Sequence, residues 1–173
     1  MIGVMDDSPP LNRQLDSEVV ASLEQLQDRL VATELKPSDA LELASRYPVI
    51  GIGRARLAVA ISDQQIVKVA WRAAGITDNA VELAIWQTAP EHIRRWLAPG
   101  VDIFGYGLLL MPFCRIARDH SGVALMISQL TSYGISDTIS NLGEYRGRLV
   151  CYDYASTSSD LFNRLEPVLR QLD

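Results

Sequence analysis

The stretch Ile139–Ala155, ISNLGEYRGRLVCYDYA, reads as a loop, a β-hairpin and an acidic tip. Asn141 closes the loop, and Glu144-Tyr145-Arg146-Gly147 turns the chain. Leu149-Val150-Cys151-Tyr152 is a short apolar strand with Asp153 at its end. A hairpin that brings Asn141 and Asp153 together pairs two hard oxygen donors that could hold one divalent metal between them.

The segments on either side are helical. Upstream, Gly122 to Tyr133 carries Val123, Leu125, Met126, Ile127 and Leu130, and Gly134 is placed to end it as a left-handed C-terminal residue. Downstream, Ser156 to Ser159 is a polar linker. Asp160 to Leu172 then predicts a last helix with Leu161, Phe162, Leu165, Val168 and Leu169 on one face, restricted by Pro167.

The strands lie earlier. VIGIGRA from Val49, RLAVAIS from Arg56 and IVKVAW from Ile66 are short alternating runs, spaced as a three-stranded antiparallel meander. Gly75 to Asn79 is expected to end the third strand, with Thr77 or Asp78 capping a helix through Val81, Glu82, Leu83, Ile85 and Trp86. Residues 91–98 form a helical turn or a connector. Asp102–Gly105 and Tyr106–Phe113 read as two further strands, and Pro112 marks where the second stops pairing. Residues 1–15, with Pro9-Pro10, are expected to be disordered. A helix follows from an Asp16 or Ser17 cap and stops before Pro37. Ser38 or Asp39 is expected to cap a second short helix ending near Tyr47-Pro48.

Composition narrows the classes. The 173 residues suit one domain with a helical appendage, and 48% hydrophobic residues suffice for a core. A net charge of −5 counts against a nucleic-acid partner. No apolar run approaches the roughly 18 residues of a membrane span, so no membrane partner is expected, and the N-terminus lacks the pattern of a signal peptide. Cys114 and Cys151 sit in apolar runs and read as buried thiols of a reducing compartment. His92 and His120 are isolated, so no zinc spacing exists. Of the 16 basic residues only Lys36 and Lys68 are lysines, yet Lys68 stands inside an apolar strand. Either its stem snorkels at a strand edge, or an ammonium point charge is needed there.

The element order, with the residues at its joints, resembles the protein-kinase-like fold over roughly Val49 to Ala155, and is most like the small divergent kinase-like proteins of phages and archaeal viruses. The resemblance implies an α+β fold. Residues 1–46 would be a tail and helical extension, 47–114 a kinase-like N-lobe, and 115–173 a reduced C-lobe, since only eighteen residues follow Ala155. It further implies roles. Gly51 and Gly53 look like a shortened glycine-rich loop, with Arg56 where the third glycine would stand. Lys68 is similar to the nucleotide-binding lysine and Glu82 to its acidic partner. Met111 to Cys114 looks like the hinge, so Met111 and Phe113 would meet the adenine edge. Asp137 takes the place of the catalytic base, in a loop one residue short. Asn141 and Asp153 would hold Mg²⁺, with ATP as the nucleotide.

Two functions follow from the resemblance. One is a pseudokinase-type interaction module that retains nucleotide binding and docks a protein partner, in a cytoplasmic setting or in a virion if the chain is viral. The other is a minimal Mg·ATP-dependent phosphotransferase. A third reading sets the resemblance aside: an unrelated α+β domain with Lys68, Glu82, Asn141 and Asp153 on its surface.

Overall fold

The computed structural model describes residues 15–100, 102–104, 107–117 and 121–172. The expected disorder at the N-terminus falls on residues outside these, apart from Leu15. The fold is α+β, with two antiparallel sheets and, among the described residues, six helices.

Three strands, β1 (Val49–Ile52), β2 (Arg56–Ala60) and β3 (Gln65–Ala70), make the predicted meander. Helix α3 (Ala73–Thr88) and the single turn α4 (Glu91–Arg94) follow. The chain then returns through β4 (Asp102–Phe104) and β5 (Leu108–Pro112), giving a five-stranded sheet of order β1-β2-β3-β5-β4. The second sheet has order β6-β7-β8, from Arg115–Ile116, Leu142–Tyr145 and Arg148–Cys151. Its last two strands are the predicted hairpin, turned at Arg146-Gly147, both at positive φ. Its first strand was not foreseen, because two residues carry no readable period. Helix α5 (Val123–Tyr133) joins the two parts of that sheet, and α6 (Ser159–Leu169) closes the described chain with Pro167 in its last turns.

Strand alternation sorts the side chains of the large sheet to two faces. Leu57, Val59, Val67, Val69, Leu108 and Leu110 face α1 (Ser17–Val31) and α2 (Pro37–Leu43), packing with Leu23, Leu26, Leu30, Ala40 and Ala44. Ile66, Leu109 and Met111 point the other way, into a core shared with Val81, Ile85, Leu97, Val150 and Tyr154. The helical extension is therefore one wall of the sheet's own core. Gln27 of α1 also accepts the Ala70 N–H at 2.8 Å.

Two helix starts differ from expectation. Helix α3 begins at Ala73, four residues before the expected Thr77 cap. Gly75 sits inside it, not in a turn. A Cβ there would lie 2.4 Å from the Ala55 carbonyl and 2.9 Å from the Ala70 Cβ, so only glycine lets the first turn press onto the β2–β3 end. Tertiary packing sets the start, which local cap chemistry could not reveal. Helix α2 begins at Pro37, a favoured first position, and the Asp39 carboxylate accepts the Lys36 N–H at 3.3 Å instead of capping from outside. The predicted Asp16 cap of α1 is present, accepting from Glu18 N at 2.9 Å. Strand β5 is shorter than expected, and Gly105 and Tyr106 lie outside the described residues.

Candidate functional site

Alternation along β3 puts Lys68 on the α3 side of the sheet, between Val67 and Val69 on the other. Asn79 and Glu82, three residues apart on α3, face it from one side of the helix. Lys68 Nζ donates to both Glu82 oxygens, at 2.7 and 2.9 Å, and to the Tyr152 carbonyl at 2.8 Å. All three ammonium N–H groups are thereby engaged. The expected Lys68–Glu82 pair exists, and Glu82 is fully buried. That burial rules out the surface-residue reading for Lys68 and Glu82.

Arg56 completes the cluster, and sequence reading had assigned it no role beyond the position of a missing glycine. It opens β2 at the position paired with Ala70. Its Nη2 donates to Glu82 Oε1 at 2.8 Å and to Asp153 Oδ1 at 2.5 Å, and its Nη1 to Asn79 Oδ1 at 3.1 Å. Asn79 in turn donates to the Lys68 carbonyl at 2.9 Å and the Gly107 carbonyl at 2.7 Å. The Tyr154 N–H donates to Glu82 at 3.2 Å. Two cations and two carboxylates thus tie sheet, helix and hairpin tip together. Among the described residues no buried side-chain polar atom lacks a partner, the condition under which buried charges are tolerable. The only sequence signal for Arg56 was an arginine placed, like Lys68, in an apolar alternating strand.

The charges set the titration. Burial pushes the Asp153 carboxyl up, but Lys68 and Arg56 outweigh it and hold it at about 2. Burial pushes Glu82 above the usual carboxylate range, with Arg56 and Lys68 pulling against it. Asp78, half-buried on the same side of α3, is also raised by burial and by Asp153, against the pull of Arg56. Burial raises the Cys114 and Cys151 thiols to about 12, so both are protonated, free thiols at neutral pH.

A cleft of about 820 Å³ runs between the two sheets. Gly51, Gly53, Arg56, Lys68, Met111, Phe113, Asp137, Asn141 and Asp153 all line it, and Glu82 lies beneath its floor. Its lining is apolar at Ile66, Met111 and Leu142 and charged at Arg56, Lys68 and Asp153. Local contacts at four places bear on the expected roles. Gly51 and Gly53 do not have positive φ, and a Cβ on Gly51 would meet nothing within 4 Å, so neither position requires glycine. The Phe113 N–H donates to the Gln64 carbonyl at 2.8 Å and is spent inside the protein. Asp137 has φ 56° and accepts from Ser140 Oγ at 2.8 Å, a loop-stabilising role, while remaining exposed at the cleft. Asn141 donates its amide N–H to the Asp137 carbonyl at 2.8 Å, and its own carbonyl accepts the Tyr152 N–H at 3.0 Å, which holds the loop beside the hairpin end. Among the described residues no three His, Cys, Asp or Glu side chains gather as a metal-holding group, and no helix is long and apolar enough to cross a membrane.

No family model, no curated protein and no solved structure matches this chain.

Proposed function

We propose that the chain is a kinase-like module of the pseudokinase type, which holds a nucleotide in the cleft between its sheets, transfers no phosphoryl group, and acts through a protein partner. The observation that carries the reading is the Arg56 guanidinium seated between Glu82 and Asp153, at 2.8 and 2.5 Å. Phosphoryl transfer relies on positioned charge that is free to meet the developing phosphate. Here Lys68 has no N–H left over, and Asp153 is already ion-paired.

The kinase-like part of the reading draws support from the order of elements. A meander carries Lys68, the next helix carries its acidic partner, and a hairpin ends in Asp153 over one cleft. The nucleotide draws support from a cleft with an apolar end at Met111 and a cationic end at Arg56 and Lys68, of a size suited to a small ligand. The partner rests on the resemblance: a module that holds a nucleotide without turning it over acts by binding. The runner-up, a minimal Mg·ATP phosphotransferase, is favoured by Asp137, Asn141 and Asp153 lining the same cleft as Lys68.

Thermal melting with added ATP, combined with a phosphate-release assay, tests the choice. The proposal expects a raised melting midpoint, because a ligand of the native state stabilises it, and no turnover. Turnover that Asp137→Asn abolishes would establish the phosphotransferase instead. A midpoint indifferent to millimolar nucleotide would remove both.

A further inference from the structure

The expected metal pair and the observed donor set disagree. Asp153 is the one carboxylate the resemblance offers a divalent cation, and its Oδ1 is taken by the Arg56 guanidinium, with Lys68 Nζ at 3.9 Å from the same oxygen. Asn141, the other expected ligand, has its amide N–H on the Asp137 carbonyl. A divalent ion at Asp153 would sit within a few ångströms of a fixed guanidinium and near an ammonium. Like charges at such range repel, though solvent at the partly exposed Asp153 screens the repulsion. Glu82 and Asp153, the carboxylates of the cluster, are each already paired with Arg56 or Lys68.

Resting on the nucleotide-cleft reading, we infer that Arg56 does the work of the metal: the cleft takes a polyphosphate nucleotide without a divalent cation, with the guanidinium as the built-in counter-charge. A guanidinium has five N–H donors in a planar fork that matches phosphate oxygens. Three of them are engaged with Asn79, Glu82 and Asp153, which leaves donors on a residue that lines the cleft. Lys68 has none left and serves to hold Glu82 and the Tyr152 carbonyl. Asp153 then positions Arg56 and binds no ion. Its negative charge opposes a phosphate, so removing that charge strengthens nucleotide binding, the opposite of what removing a metal ligand does.

Calorimetric titration of the full chain with ATP, once in EDTA and once in millimolar magnesium, tests this. Because millimolar magnesium converts nearly all ATP to its magnesium complex, binding is expected to be at least about threefold tighter in EDTA than in magnesium, and Asp153→Asn to tighten metal-free binding by about threefold. Arg56→Gln is expected to weaken it about tenfold; should that variant fail to fold, Asp153→Asn, altered at a partly exposed side chain, still decides. Binding that appears only with magnesium, or that Asp153→Asn abolishes, overturns the inference and leaves the nucleotide cleft standing. Failure to bind ATP in either buffer overturns the nucleotide reading itself, and this inference with it.

Discussion

The two faces of the five-stranded sheet are built from neighbouring residues on the same strands, yet they obey different rules. Toward α1 and α2 the contacts are apolar but for Gln27: Leu57, Val59, Val67 and Val69 pack against Leu23, Leu26 and Leu30. Toward α3 the same strands offer Arg56 and Lys68, buried with Glu82 and Asn79. Apolar burial stabilises without directional demands. A buried ionic cluster is close to neutral in stability when complete and costly when broken. Both faces contribute apolar burial, the inner one through Ile66, Leu109 and Met111, and the inner face alone also carries buried charge at a cleft.

Breaking the inner cluster should have the largest effect. Glu82→Ala leaves Arg56 and Lys68 buried without their shared carboxylate, and chemical denaturation should register a loss of about 4 kcal/mol. A loss below about 1 kcal/mol would show that water enters the cluster freely. On the outer face, Leu30→Ala removes a side chain with no exposure and should cost about 3 kcal/mol. It should leave ATP affinity unchanged, and altered affinity would mean that the two faces are coupled. Gly75→Ala tests the join between helix and sheet. The added Cβ meets Ala55 O, the Ala70 Cβ and the Arg56 Cγ, so a loss of about 2 kcal/mol is expected.

A smaller effect separates the faces by pH. Asp153 has its folded-state pKa lowered from 3.8 to about 2. Its contribution to stability is thus present above about pH 4 and is lost as the pH falls toward 2. The side chain is 37% exposed, so solvent screening reduces the contribution to about 1 kcal/mol. Denaturation between pH 5 and pH 2 should show it in the wild type and not in Asp153→Asn; equal slopes would deny the ion pair its role. Smallest of all, Gly51→Ala should change stability by less than about 0.5 kcal/mol, because its Cβ enters open space. A large loss would restore a structural requirement for glycine there.

Much of this was legible before folding. The runs RLAVAIS and IVKVAW predicted the strands found as β2 and β3. The hairpin at residues 142–151, the Asp16 cap and the helix ending at Gly134 follow from local rules that act within a few residues. The Lys68–Glu82 pair was legible through its resemblance to a known pattern, and its partners are 14 residues apart.

Other features were not legible, for a common reason. The start of α3 depends on Gly75 meeting Ala55 and Ala70, and the strand at Arg115–Ile116 exists only because Glu144 and Gly143 pair with it. The role of Arg56 depends on Glu82, 26 residues away, and on Asp153, 97 residues away. Periodicity and capping chemistry are properties of short stretches, so the chain by itself determined which residues form elements and which face each presents. A buried charge is decided by whatever surrounds it, because desolvation must be met by specific partners. Only the tertiary structure, which brings β2, α3 and the hairpin tip to one place, could make Arg56 the centre of the site.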